Sequence, residues 1–424
     1  MTSGEVGHSI TRQQRSWYLA GLVLALILPT VGMVLTAGVP LAICYALVAT
    51  VWVTAYYFWI TPLLVRWMSQ RVAVVTAVLI LAALAVTVAV IHPMIDTAGF
   101  AILGFSVGAA DNDNAVSLGV EALLQGENPY DQQTFLGAPI GPLPGAFVLG
   151  APFYLMGNVA FASIFFLGIY WFLAARETAT VGTLLLILTL TASPAVIYQS
   201  LAGMDYTTDI MAVVALAVLS IFLGDRTIWL VVTTGAVGIA MATRINLTLL
   251  AIPLIAVLLH RYGTRQAITA GLSLIAGFLA ISIPFFLWDP EIFSPIQAGV
   301  DKTEALPAGS FLIPALGLVV ALVLAGFLPH NNEIDFFRDA FWIQVTVIGL
   351  AIVSRFVASD PLTSNYFTYA MLALYPGALF FWARLTASVG GSSEKEHSAT
   401  NQPESSIHPT QNSAASPDDL VAGA

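Results

Sequence analysis

The segment LPGAFVLGAPFYLMG (143–157) decides how the chain is threaded. It is apolar enough to suggest a membrane crossing, but it is short and carries Pro144 and Pro152. A bilayer core needs roughly 20 apolar residues in a helix. A shorter apolar helix flanked by prolines fits better along the membrane surface. Left out of the count, it gives twelve spans: 17–35, 40–60, 72–92, 159–175, 180–198, 208–223, 227–243, 247–260, 266–287, 309–328, 340–358 and 366–385.

The cations arbitrate between the two threadings. With a cytoplasmic N-terminus, Arg12, Arg15, Arg66, Arg71, Arg176, Arg226, Arg261, Arg265, Arg338, Arg384 and Lys395 face the cytoplasm, 11 of the 14 Lys and Arg. That matches the positive-inside bias of membrane proteins. Only Arg244, Lys302 and Arg355 fall outside. If 143–157 crossed, Arg176, Arg226, Arg261, Arg265, Arg338 and Arg384 would all face outward. The sequence therefore predicts an all-α polytopic membrane protein of about twelve transmembrane helices. Both termini are expected in the cytoplasm, and the first external loop (93–158) is expected to hold short in-plane helices.

Composition supports a membrane-embedded chain. Of 424 residues, 58% are hydrophobic and 9% charged, with a mean hydropathy of +0.87. A soluble domain of that size needs far more charge on its surface. The lone Cys44 excludes an internal disulfide and a thiolate metal cluster. No basic patch points to nucleic acid. Residues 1–16 read as a cytoplasmic N-terminus and 17–71 as two N-terminal helices. Residues 72–386 form the main membrane domain. Residues 387–424, rich in Ser, Asn, Gln, Pro and acids, read as a disordered cytoplasmic tail.

The chemistry concentrates in the external loop, at AADNDNAVSLGVEALLQGENPY (109–130). Val116, Val120, Leu123 and Leu124 recur at helical spacing, Gly126 closes the helix, and Asn128-Pro129-Tyr130 makes a turn. Asp111 and Asp113 then lie at the helix start, where free N–H groups and the dipole favour a carboxylate. The plain reading is an N-cap at Asp113 or Asn114. The sharper one is a functional acid, because the loop carries acids and almost no cations.

The order of features is an Asp near the membrane, a helix ending Gly-x-Asn-Pro-Tyr, a Pro-rich turn and a surface helix ending PFYLMGN. It resembles the first external loop of the GT-C glycosyltransferases. Within them it is most similar to the branch using polyprenyl-phosphate sugars, such as the actinobacterial polyprenol-phosphate-mannose-dependent mannosyltransferases. The likeness continues at SPAVIYQSLAGMDYTTD (193–209), ATRINLTLLAIPLI (242–255) and SNYFTYAMLALYPG (364–377), and covers most of 72–385. Helices 17–60 have no counterpart in it, and Ser117 stands where that family has a tyrosine. The resemblance implies that Asp113, or else Asp111, is the general base. It implies transfer of a sugar, plausibly mannose, from a polyprenyl-phosphate donor to an extracytoplasmic glycolipid or glycan, with inversion, at the plasma membrane.

Such a reaction needs a base for the acceptor hydroxyl and a group for the departing phosphate. A placed carboxylate contributes about 10²–10⁴-fold, and Arg suits phosphate through bidentate hydrogen bonds. Arg244 interrupts the apolar run 227–260 and should sit at a turn dipping toward the bilayer. There it needs an anionic partner, either the donor phosphate or a nearby acid such as Asp205 or Asp209. Arg355 is a second phosphate candidate, with snorkelling to the interface as the plainer reading. Lys302, between Asp301 and Glu304, reads as a solvated loop charge or a third ligand contact. Asp205 can orient the acceptor or cap the span from 208. Tyr130 can stack on a sugar or pack its turn. Tyr366 can meet phosphate or sugar, and His92 reads as an interfacial residue. No cofactor is required, since nucleotide and HExxH motifs are lacking. A divalent ion at Asp111-x-Asp113 is the lesser reading. The rival function is a transporter or flippase for a lipid-linked saccharide.

Overall fold

The computed structural model describes residues 11–35, 37–95, 100–102, 105–107, 110–295, 312–357 and 369–400. Side chains at 100–107, 312–314, 354–357 and 388–400 are outside that description. The described chain is almost entirely helical, the exception being a three-residue antiparallel pair, β1 (Phe100–Ile102) and β2 (Phe105–Val107).

The N-terminal helices are α1 (Arg12–Leu35), α2 (Val39–Ala55), α3 (Thr61–Trp67) and α4 (Gln70–Ile95). A π turn at Tyr56–Ile60 joins α2 to α3. Pro62 explains it: a proline has no N–H to give to the preceding turn, so the hydrogen-bond register shifts. The short helices α5 (Asn112–Gln125) and α6 (Gly145–Leu155) follow. The bundle continues with α7 (Phe161–Ala174), α8 (Ala179–Ala192), α9 (Pro194–Leu201), α10 (Tyr206–Phe222) and α11 (Thr227–Met241). A 3₁₀ turn at Ile245–Leu250 leads into α12 (Ala251–Tyr262). Then come α13 (Thr264–Trp288), α14 (Leu312–Phe327), α15 (Glu333–Val357) and α16 (Met371–Thr400).

Among the described residues six helical stretches are long and apolar enough to cross a bilayer: α1, Val39–Trp67, α4, Ile245–Tyr262, α13 and Glu333–Val353. A seventh is added if α8 and α9 count together, although they meet at 82°. This is a membrane-embedded helical protein. The segment at 143–157 forms only α6, 11 residues long, or about 16 Å, too short to cross. Two elements differ from expectation. The span expected at 180–198 breaks at Ser193, because Pro194 cannot continue the amide ladder of α8. The last helix continues to Thr400, carrying helical backbone through 387–400 of the expected tail. Adding residues to an existing helix costs far less than starting one. Residues 401–424 lie outside the described residues.

Hydrogen bonds and ion pairs sort the loops into two ends. At one end Gln70 accepts from the amide of Ala179 and Thr180 donates to Met68. Tyr262 donates to Ile221, Arg176 meets Glu333, and Arg384 meets Asp335. There too His330 and Asp339, both fully buried, are 2.5 Å apart. The opposite end gathers His92, the start of α5, residues 193–209 and Arg244. α4 separates the two ends, with Gln70 at one and His92 at the other; 26 residues make about 39 Å.

At the centre α10 buries most of its length, with Asp209, Thr207 and Thr208 in its first turns. Beside it α11 packs against α13 through glycines. A Cβ at Gly238 would overlap the carbonyl of Leu274, and one at Gly277 the carbonyl of Gly235. Lipid gives no hydrophobic drive between helices, so close backbone approach through small residues replaces it. Gly238→Ala is therefore expected to lower the unfolding temperature in detergent, by overpacking worth about 1–3 kcal/mol. Gly349→Ala, with no described atom within 4 Å of its added methyl, should leave stability unchanged or raise it slightly.

Candidate active site

The site is assembled where α5 begins. Asp111 occupies the cap position of α5, without a side-chain cap bond, and Asp113 lies in its first turn. Asp113 is thus not the cap. It is 4% exposed, and its Oδ2 sits 3.0 Å from Nε2 of His92. His92, in the last turn of α4, is itself buried, with Nδ1 3.0 Å from the carbonyl oxygen of Leu201. That corrects the expectation of an interfacial residue. A carbonyl only accepts, so Nδ1 carries a hydrogen. The second proton of the pair then lies between Nε2 and Asp113, either as imidazolium beside carboxylate or as carboxylic acid beside neutral imidazole.

Gly203 closes the other side of Asp113. Its φ is +68°, and an added Cβ would lie 2.6 Å from the Asp113 carboxyl carbon. Both the backbone and the space exclude a side chain there.

A second group adjoins the first. Arg244 stands in extended conformation in the break between α11 and the 3₁₀ turn. Its guanidinium binds Asp205 through Nη2 and Asp209 through Nε, the latter at 2.6 Å. The carbon of the guanidinium lies 4.3 Å from the ring centre of Tyr206. Asn112 donates to Asp205 at 3.0 Å and so connects α5 to this group. Of the two partners considered for Arg244, the acids are the ones the fold supplies. Its Nη1 makes no hydrogen bond among the described residues. Asp205 Oδ2 is buried with no hydrogen-bond partner among the described residues.

The break itself is held by the loop ahead of α6. Leu143 donates to the carbonyl of Thr243 at 3.1 Å, and Gly145 to that of Ala242 at 2.7 Å. The close approach requires Gly145, since a Cβ there would overlap Ile239 and Ala242 backbone.

The remaining sequence candidates separate. Asp111 turns away from Asp113 and accepts from Thr134 at 2.8 Å. Tyr130 is buried among Phe147, Phe285 and Phe293 and donates to the carbonyl of Pro142. Burial pushes its phenol well above the usual range. In this structure the ring packs the turn. Lys302 and Tyr366 lie outside the described residues, as does the side chain of Arg355. The two aspartates of Asp111-x-Asp113 hold different partners. No group of three or more His, Cys, Asp or Glu among the described residues is placed for a metal.

A narrow cavity adjoins both groups, lined by Val116, Ala146 and Gly150 on one side and by Gly203, Asp205 and Asp209 on the other. It admits only water-sized groups. It lies under α5 and α6, at one end of the bundle.

Sequence reasoning missed His92 and Asn112 as site residues and treated Asp209 only as a partner for Arg244. One signal was available for His92: an ionisable residue at the end of an otherwise apolar helix needs a partner. No family model, no curated protein and no solved structure matches the chain.

Removing the guanidinium would strand two buried carboxylates. Arg244→Ala is expected to cost about 3–5 kcal/mol. Adding Asp209→Asn to it should recover part of that loss, because one stranded charge disappears. Thermal unfolding of the purified single and double variants in detergent checks both.

Proposed function

We propose that this chain is an integral membrane glycosyltransferase that moves one sugar, plausibly mannose, from a polyprenyl-phosphate carrier to an extracytoplasmic glycolipid or glycan. Twelve helical passes thread it through the plasma membrane. The end carrying Arg176, Arg338 and Arg384 faces the cytoplasm, and α5 and α6 lie along the outer surface. One observation carries the reading. The acid singled out in the external loop and the arginine in the broken helix meet at the same end, linked through Asn112–Asp205 and through Gly203.

The chemistry divides among these groups. Leu201 is the last residue of α9, where the helix dipole favours a positive imidazole. With His92 charged, Asp113 is a carboxylate and takes the proton of the acceptor hydroxyl. The hydroxyl oxygen attacks the anomeric carbon, the bond to the phosphate oxygen breaks, and polyprenyl phosphate leaves with the electron pair. This single displacement inverts the anomeric centre. Arg244, through Nη1, steadies the leaving phosphate, together with Arg355 and Lys302. Asp205 and Asp209 hold the guanidinium in place.

A broken helix beside buried charges also suits a transporter. The position of the cavity under α5 and α6, rather than midway along the bundle, favours the enzyme.

Purified protein in nanodiscs is expected to transfer label from polyprenyl-phosphate mannose to a lipid-extract acceptor. Asp113→Asn should cut the rate by about 10²–10⁴-fold and lower the unfolding temperature, because His92 loses its buried partner, in a protein that still folds. Transfer that persists in the Asp111→Asn/Asp113→Asn variant would overturn the assignment of the base. Movement of label across a vesicle membrane with no product formed would favour the transporter.

A further inference from the structure

The two N-terminal helices, absent from the resembled pattern, touch the site through the break between α8 and α9. A chain that turns by 82° at Pro194 leaves carbonyls at the end of α8 and amides at the start of α9 without helical partners. Inside a membrane protein those groups must be satisfied by neighbouring side chains. Here α1 and α2 do so. Thr30 of α1, 5% exposed, accepts from the amide of Ala195 at 3.1 Å and sits 3.3 Å from the Ser193 hydroxyl. Tyr45 of α2 donates to the carbonyl of Ala192 at 2.5 Å.

The other end of α9 is the candidate site. The helix has eight residues, about 12 Å. Its last carbonyl, Leu201, takes the His92 Nδ1–H, and Gly203 just beyond it lies against Asp113. Tyr45 thus holds the end of α8 and Thr30 the start of α9, which fixes the direction in which α9 leaves the break; at its finish α9 delivers the groups that orient His92 and Asp113.

We propose that Thr30 and Tyr45 are positioning residues for the His92–Asp113 pair, acting through the direction of α9. The kinetic consequence rests on the transferase reading above; the structural consequence does not. Thr30→Val with Tyr45→Phe keeps side-chain size and removes both hydroxyls. In the full chain in nanodiscs, hydrogen–deuterium exchange over 195–204 should rise about fivefold, while 181–190 of α8 stays unchanged. His92 should become modifiable by diethyl pyrocarbonate. The transfer rate should fall by about 10–100-fold with little change in KM, and its pH profile should move toward that of His92→Asn. Restoring a hydroxyl with Thr30→Ser in the Tyr45→Phe background should reverse these effects in part. Tyr56→Phe, which removes a bond from the π turn after α2 to the Leu184 carbonyl away from the break, should move none of them. A folded double variant with unchanged exchange and protected His92 overturns the proposal. If exchange and His92 respond but no transfer exists to measure, the transferase reading fails and the positioning role stands. Should the double variant not fold, Tyr45→Phe alone is read by the same exchange and modification criteria.

Discussion

The structure turns on one buried guanidinium held between two carboxylates. Arg244 interrupts an apolar run and could not remain there alone, because a charge taken out of water costs several kcal/mol unless paired. Asp205 and Asp209, four residues apart at the start of α10, present both oxygens on one side of a largely buried helix. The pairing fixes where α10 begins relative to the break after α11. That break supplies the carbonyls on which Leu143 and Gly145 dock, and Asp205 receives Asn112 from α5. The short helices α5 and α6, the central helix and the broken helix therefore share one electrostatic joint.

The sequence made the local features legible. The shortness of 143–157 kept α6 from being taken for a crossing. Gly126 does end α5, in left-handed conformation at φ 77°. Asn128 accepts from the amide of Tyr130, as an Asn-Pro-Tyr turn suggests. Arg244 marks a break because no apolar helix carries it without cause. What stayed hidden depends on pairing between distant segments. His92 and Asp113 belong to different helices, and neither periodicity nor composition says which face of α4 meets which face of α5. Pro194 was visible, but whether a proline kinks a span or turns it by 82° depends on which side chains satisfy the freed backbone. Those side chains lie about 150 residues earlier in the chain.

The opposite end shows a second use of charge. Its arginines entered the sequence reading only as markers of sidedness. In the structure Arg338 bridges Asp335 and Asp339, Arg384 reaches Asp335, and Arg176 reaches Glu333 from the loop after α7. Asp339 also receives His330, whose ring lies 5.6 Å from that of His260. Ion pairs thus join the ends of α7, α15 and α16, and the contact between the His260 and His330 rings adds α12. Exposed pairs contribute little to stability, but Asp335 and Asp339 are buried, so their partners cannot be lost without leaving a charge in an apolar setting.

The glycine contact between α11 and α13 bears on which part of this end is held rigid. Two helices whose backbones touch behave as one plank: they can neither slide without collision nor separate without opening a void. Arg244 hangs from the end of that plank through residues 242–250, where the chain leaves α11 and winds as a 3₁₀ turn, with poorer hydrogen-bond geometry than an α-helix. The segment that carries the charged joint is therefore irregular backbone fastened to a fixed pair of helices, held by Leu143 and Gly145 on one side and by Asp205 and Asp209 on the other.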